Sequence, residues 1–302
     1  MPTLGALLTV AGLILLAALL IWPVQWAMVR RPIFRREPLL ALLAWQAVAL
    51  AAVLSLLSAF PLALWVLRDS FTATPTQLAI GLIAGAVTAY MLVRLLLAGH
   101  RVGAALRRTR REHRKLLELV GRDFDELDRP EPRLRVIQHP APTAYCVPGL
   151  SHRVVISTGM LERLGPDEVA AVLAHERAHV RARHDLLVEF FTVLHTAMPE
   201  RLRHDDVLDE VHLLAEVLAD RSGARTVGHL PMGRALVALA GTSHPVAMLG
   251  AASSTNAAQV RLRLLTEDGE RDWIMVATMI GYAMLAVAAP IAVVVWATAL
   301  SG

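Results

Sequence analysis

Cysteine is almost missing from this 302-residue chain: Cys146 stands alone, which excludes an intrachain disulfide framework and agrees with a reducing compartment. Lysine is as scarce, with Lys115 the only one among 30 basic residues, and aromatic residues reach only 5%. Abundant Ala and Arg with a single Lys suggest a GC-rich genome and hence a bacterial inner membrane. Charge is absent altogether from residues 3–29, 38–67, 70–93 and 273–302. Each run exceeds the roughly 20 residues that span a hydrocarbon core. With 55% hydrophobic residues and a mean hydropathy of +0.50, the composition excludes an ordinary soluble protein.

What remains is organised around those four runs. Transmembrane helices are expected at about 3–24, 38–62, 75–98 and 273–302. Phe60-Pro61 is expected to kink or end the second, since proline breaks the helical ladder. The first segment lacks a basic flank and a clear cleavage site, so it reads as a retained helix. Trp22, Trp26, Trp65, Trp273 and Trp296 fall near the expected ends as an interfacial belt, with Trp45 the exception.

Arginine sets the orientation. Arg30, Arg31, Arg35 and Arg36 follow the first run, and Arg101 to Lys115 holds seven basic residues after the third, whereas Arg68 alone lies between runs two and three. The N-terminus is therefore expected outside and residues 99–272 in the cytoplasm. Arg94, just inside the third run, is expected to snorkel to the same surface. The pI near 9.9 raises the question of nucleic acid, but a basic juxtamembrane helix is accounted for by topology and anionic lipid, so no direct nucleic-acid binding is expected.

Within 99–272 the informative stretch is His175-Glu176-Arg177-Ala178-His179. On a helix, His175 and His179 share one face and can converge on a metal, while Glu176 lies about 100° round the same turn, placed to act as a base. In a chain of this composition H-E-x-x-H arises by chance about 0.02 times. Pro166-Asp167-Glu168 supplies an acidic first turn, and Val169, Val172, Leu173 and Val180 an apolar stripe.

A zinc peptidase needs a third protein ligand and an open position. In the helical run from Val207 to about Arg225, Glu216 is the best candidate. Asp220, four residues on, is placed to hold a ligand histidine by its other ring nitrogen. His212, Glu210, His184 and Asp185 are rival ligands at this point.

These residues resemble a family. H-E-R-A-H followed by Glu216-Val217-Leu218-Ala219-Asp220 is similar to the gluzincin arrangement of membrane-embedded metallopeptidases, in two groups: the BlaR/MecR-type antirepressor peptidases and the HtpX/CAAX-prenyl-protease type. Pro142 to Gly149 and Val154 to Leu161 are similar to the strand, turn and strand that precede the zinc helix in both, and the resemblance covers roughly residues 130–265. It implies one Zn2+ on His175, His179 and Glu216, Glu176 as base and Asp220 behind a ligand. It also implies a substrate strand along Thr143, Ala144, Tyr145, Cys146 and Val147. Arg261 and Arg263 fall where related peptidases carry an arginine, and neither is counted as catalytic here. His184-Asp185 suits both groups, and the sensor domain of the penicillin-receptor members is not expected after the last apolar run.

The expected fold is thus a multi-pass α-helical membrane protein, four transmembrane helices with a mainly helical α+β zincin-like domain. That domain would hold a basic helix at about 100–120, a short sheet at about 133–158 and a helical remainder. Leu186 to Met198 is expected as a buried helix behind the zinc helix, and Gly241 to Asn256 as a connecting segment. The expected activity is zinc-dependent endopeptidolysis of a cytoplasmic or membrane protein. The antirepressor arm implies a transcriptional repressor as substrate and the HtpX arm damaged membrane proteins. The competing class is a non-proteolytic metal-binding signalling or scaffold protein, which would not need Glu176.

Overall fold

The structure is a computed structural model and describes residues 2–67, 74–120, 122–123, 134–147, 153–240, 255–267 and 273–301. The chain divides into two compact units, residues 1–100, 193–207 and 271–302 in one and 101–192 and 208–270 in the other. Most of the connecting segment expected from Gly241 lies outside the described residues.

The first unit is helical. Helix α1 (Pro2–Leu19) passes through a wider turn at Leu20–Val24 into α2 (Gln25–Val29). Pro23 sits in that turn, where its missing N–H and its ring are accommodated by the looser pitch. A 3-10 turn at Pro32–Arg36 leads to α3 (Pro38–Leu67), followed by α4 (Pro75–Val120). With α11 (Trp273–Ser301), which packs on α1 and α3, these provide, among the described residues, four helices long and apolar enough to cross a membrane. Their shared core is built of small residues and a few aliphatics, including Val10, Leu13, Ala59, Ala63, Ala84 and Ala297, which let backbones approach closely.

Three expectations change here. Pro61 does not end α3, because the Thr88 hydroxyl of α4 enters the ladder: it donates to the Leu56 carbonyl at 3.0 Å and accepts from the Phe60 N–H at 3.3 Å. The third span and the basic helix after it are one uninterrupted helix of 46 residues. Thr74 and Gln77 start it by reciprocal capping ahead of Pro75. Arg94 does not snorkel. Its guanidinium donates to the carbonyls of Thr196, Ala197 and Met198, and Arg203 also reaches Thr196 and Met198. Two cations thereby satisfy carbonyls that a helix end leaves open. Trp45 is buried, while the other five tryptophans are about half exposed or more.

The second unit is α+β. Strands β1 (Arg122–Asp123), β2 (Leu134–Ile137), β3 (Ala144–Val147) and β4 (Arg153–Ser157) form one sheet in the order β1-β2-β4-β3. β2 and β4 are parallel, and the other pairs antiparallel. β1 is an addition to the expected sheet, and β3 is an edge strand. Ala144, Val154 and Ile156 face the helices, while Val155 packs with Ile137 and Tyr145 on the opposite face, the alternation expected of strands.

Ser157 caps α5 (Thr158–Arg163) by accepting from the Met160 N–H. Gly159 is required there, since a Cβ would lie 2.0 Å from the Pro140 carbonyl oxygen. The helix carrying H-E-x-x-H, α6 (Pro166–Ala182), starts with Pro166 at its first position and Glu168 reaching back to the Gly165 N–H at 2.6 Å. It ends at Arg183, whose φ of 51° turns the chain sharply into α7 (His184–Ala197). α7 is half-buried along most of its length rather than buried. Then come α8 (Asp205–Val227), α9 (His229–Leu239) and α10 (Thr255–Thr266). The core joins Leu134, Ile156 and Met160 to Val172 of α6, Ala224 of α8, Met232 of α9 and Leu265 of α10.

Candidate metal centre

Two close packings build the site. Gly223 of α8 lies against the backbone of α6, where an added Cβ would stand 3.2 Å from the His175 nitrogen and 2.4 Å from Met232 Cε. This approach brings the carboxylates one and two turns earlier on α8 up to the α6 histidines. Leu213 and Val217 of α8 pack with Val260 and Leu264 of α10, which sets Arg261 beside the same carboxylates.

The imidazoles meet as their spacing requires. His175 Nε2 and His179 Nε2 are 3.0 Å apart; Glu216 places Oε1 3.2 Å from His179 Nε2 and Oε2 3.5 Å from His175 Nε2. Among the described residues these three form the group able to hold a metal ion. Four ligands at about 2.0–2.1 Å from a tetrahedral zinc stand roughly 3.3–3.4 Å from one another, close to the 3.0 Å between the two Nε2 atoms and to the 3.2 and 3.5 Å from them to the two different oxygens of Glu216. Behind His175, Nδ1 lies 2.8 Å from Asp220 Oδ1, the arrangement that leaves Nε2 as the donor.

Arg261 completes the cluster. It bonds Asp220 through Nε at 2.7 Å and Nη2 at 2.8 Å and reaches Glu216 with Nη1 at 2.9 Å. Glu176 is half-buried, close enough to act electrostatically on both Arg261 and Cys146. Three carboxylates, Glu176, Glu216 and Asp220, against one guanidinium leave a net charge of minus two beside His175 and His179, a charge that imidazole protonation offsets in the metal-free chain and that a divalent cation would offset in its place.

The protonation equilibria express the same balance. Burial would lower the His175 pKa, but its hydrogen bonds to Asp220 and Glu216 prevail and push it up to about 10. Burial would raise Glu216, yet Arg261 and then His179 hold it well below the usual carboxylate range. Asp220 is likewise held low against burial by Arg261. Burial, followed by the field of His179, pushes His184 down to about 3. Burial and then Glu176 push the Cys146 thiol up to about 12.

The sequence-derived site residues thus come together: His175, His179 and Glu216 converge, Asp220 lies behind His175, and Thr143 to Val147 follows the sheet edge beside α6. The rivals are engaged elsewhere. His212 Nδ1 bonds the Leu208 carbonyl at 2.7 Å, Asp185 pairs with Arg110 at 3.3 Å, Glu210 is buried outside the group, and His184 faces the far side of His179. Arg261 is the residue that sequence reasoning undervalued. It shares a helical face with the buried Leu264 and Leu265, three and four residues on, whereas Arg263 is exposed and paired with Glu267.

Among the described residues, apolar helices long enough to cross a membrane accompany a mainly helical α+β unit that carries a His-His-Glu group able to hold a metal ion. Residues 107–235 match peptidase family M48. A stretch of 75 residues is 39% identical to a protease HtpX homolog of Moorella thermoacetica, covering 24% of this chain and 25% of the relative. Protease HtpX of Thioalkalivibrio sulfidiphilus is 41% identical over 68 residues, 22% of this chain and 23% of its own. Protease HtpX homolog 2 of Methanosarcina acetivorans is 34% identical over 71 residues, 23% and 24% of the two chains. The matched stretch spans about a quarter of these curated relatives. No solved structure matches. Residues 107–235 are thus similar to peptidase family M48, with a shorter stretch similar to HtpX proteases, and the antirepressor arm of the resemblance is not specifically supported.

Proposed function

We propose that this protein is a membrane-embedded, zinc-dependent endopeptidase in which His175, His179 and Glu216 hold the metal and Glu176 is the catalytic base. The observation that carries the reading is the convergence of the two Nε2 atoms and the Glu216 carboxylate, with Asp220 2.8 Å behind His175. A bound Zn2+ would polarise the scissile carbonyl and bring the pKa of a water towards ~7. Glu176 takes the proton from that water and passes it to the leaving amine. Asp220 fixes the tautomer of His175, and Arg261 keeps Asp220 and Glu216 ionised.

The free edge of β3 supplies a place for an extended substrate. Ser157 donates to the Thr143 carbonyl, so the alternation of antiparallel pairing turns the peptide groups of Ala144 and Cys146 away from β4. A substrate strand adding there would gain main-chain hydrogen bonds beside Glu176. The arginine distribution supports an external N-terminus and a cytoplasmic site. The substrate is then a cytoplasmic or membrane protein, a transcriptional repressor in a signalling response or a damaged membrane protein in quality control.

The test is metal content and casein cleavage of the detergent-purified chain beside Glu176→Ala and Glu216→Ala. Retention of one zinc with loss of cleavage in Glu176→Ala, and loss of zinc in Glu216→Ala, supports the assignment. A wild-type chain that binds no zinc overturns it.

A further inference from the structure

We propose that His184 is a positioning residue for His179: its neutral Nδ1 accepts the Nδ1–H of His179 and so presents His179 Nε2 to the metal, an inference that rests on the zinc reading above. The two Nδ1 atoms lie 3.0 Å apart, and the rings meet edge to face at 4.8 Å between centroids. One proton sits between two such nitrogens. If His179 coordinates through Nε2, its Nδ1 must carry that proton. His184 Nδ1 is then the acceptor, and the His184 proton resides on Nε2.

Nothing in the helical spacing places residue 184 there, since five residues along a helix lie well off the starting face. The contact exists because Arg183 adopts the left-handed conformation, ending α6 and restarting the chain as α7 with His184 folded back against His179. Burial points the same way. His184 is 4% exposed, and its Nε2 is enclosed without a hydrogen-bond partner. A leucine or phenylalanine would fill such a space without enclosing polar nitrogens, so packing alone does not account for an imidazole. The bond to His179 does.

The two ligand histidines are consequently held by unlike acceptors, His175 by the Asp220 carboxylate and His179 by an uncharged ring. A carboxylate raises the basicity of its imidazole more than a neutral acceptor does. His179 is thus the weaker donor of the pair, and the centre carries one negative charge fewer than it would with carboxylates behind both histidines.

The experiment uses the full chain in detergent and reads zinc affinity by competition with a chromophoric chelator, together with the visible spectrum of the Co2+ form. In His184→Asn the side-chain oxygen stands as many bonds from the backbone as Nδ1 does and remains an acceptor; His184→Leu has a similar shape and none. The expected result is a 10- to 100-fold loss of zinc affinity in His184→Leu with an altered Co2+ spectrum, and affinity within about threefold of wild type in His184→Asn. Should the leucine chain not fold by circular dichroism, His184→Phe, which keeps the ring volume, carries the comparison. Wild-type affinity in the apolar variant, or an asparagine variant as weak as the leucine one, overturns the role of His184 while leaving the zinc reading intact. A wild-type chain that binds neither Zn2+ nor Co2+ overturns both.

Discussion

Arg261 grips Asp220 with two parallel hydrogen bonds, 2.7 and 2.8 Å long, from a helix some 40 residues further along the chain. The pair is nearly enclosed, Asp220 at 1% and Arg261 at 14% side-chain exposure. Bidentate geometry of this kind gives direction as well as attraction, so it fixes which face Asp220 turns to His175. Removing the cation leaves the buried Asp220 and the half-buried Glu216 without their guanidinium. Arg261→Ala is expected to destabilise the metal-free chain by about 3–5 kcal/mol. Arg261→Lys, which lacks the fork, should recover only part of this. Thermal melting in detergent reads both, and an unchanged midpoint in Arg261→Ala would contradict the account.

The metal-free chain should be most stable near pH 6.5. His175 is raised from its ordinary 6.5 to about 10, so its contribution is complete below 6.5 and disappears as pH climbs through 10. His184 is lowered from 6.5 to about 3, so its neutral form stabilises above 6.5 and that contribution drains away towards pH 3. Glu216 and Asp220, held below their ordinary 4.5 and 3.8, add to the acid loss. Melting midpoints measured with chelator across this range should fall on both sides, and in Asp220→Asn the alkaline limb should shrink. A flat profile from about pH 6.5 to 10 would contradict the His175 pairing.

Cys146 gives a chemical readout of the sheet edge. Burial and the charge of Glu176 keep it a thiol, pushed up to about 12, and only the thiolate alkylates. At pH 8 the native chain should react with iodoacetamide more than about 100-fold slower than the denatured chain. Glu176→Gln should speed the native reaction by removing the nearby charge that, after burial, raises the thiol most. Equal rates in native and denatured protein would show that the edge is not enclosed on its helix-facing side.

The turn at Arg183 is a removable strain. A side chain in the left-handed region costs roughly 1–2 kcal/mol, and glycine adopts it freely. Arg183→Gly is expected to raise the melting midpoint while keeping zinc affinity, because the Arg183 side chain is exposed. A lowered midpoint would mean that the arginine itself holds the turn.

How much of this was legible in the sequence follows from the range of each interaction. The His175–His179 motif and the Glu216–Asp220 pair are local patterns, each with its key residues four apart, and charge-free runs announce themselves one span at a time. Arg261 required knowing that α10 lies along α8, a contact between segments far apart in sequence. Arg94 escapes a sequence reading for a similar reason: an arginine near the end of a span ordinarily seeks headgroups, and only the fold reveals three helix-terminal carbonyls waiting for it. Pro61 continues its helix on account of one hydroxyl from a neighbouring helix, which no reading of α3 by itself supplies. His184 was visible as a rival ligand, but its actual place depends on a positive φ at a non-glycine residue, the kind of conformation that sequence pattern assigns least well.

The edge of β3 also restricts where substrates can come from. Its outward peptide groups, at Ala144 and Cys146, have no strand beyond them among the described residues and must be paired or wet, because an unpaired peptide group in hydrocarbon costs several kcal/mol. Lipid tails cannot take the place of a missing strand. On the proposed endopeptidase reading, a polypeptide destined for Glu176 would arrive already out of the oily layer, and a membrane protein would be cut at loops or at segments pulled into water, while its helices, still sheltered in lipid, would be spared.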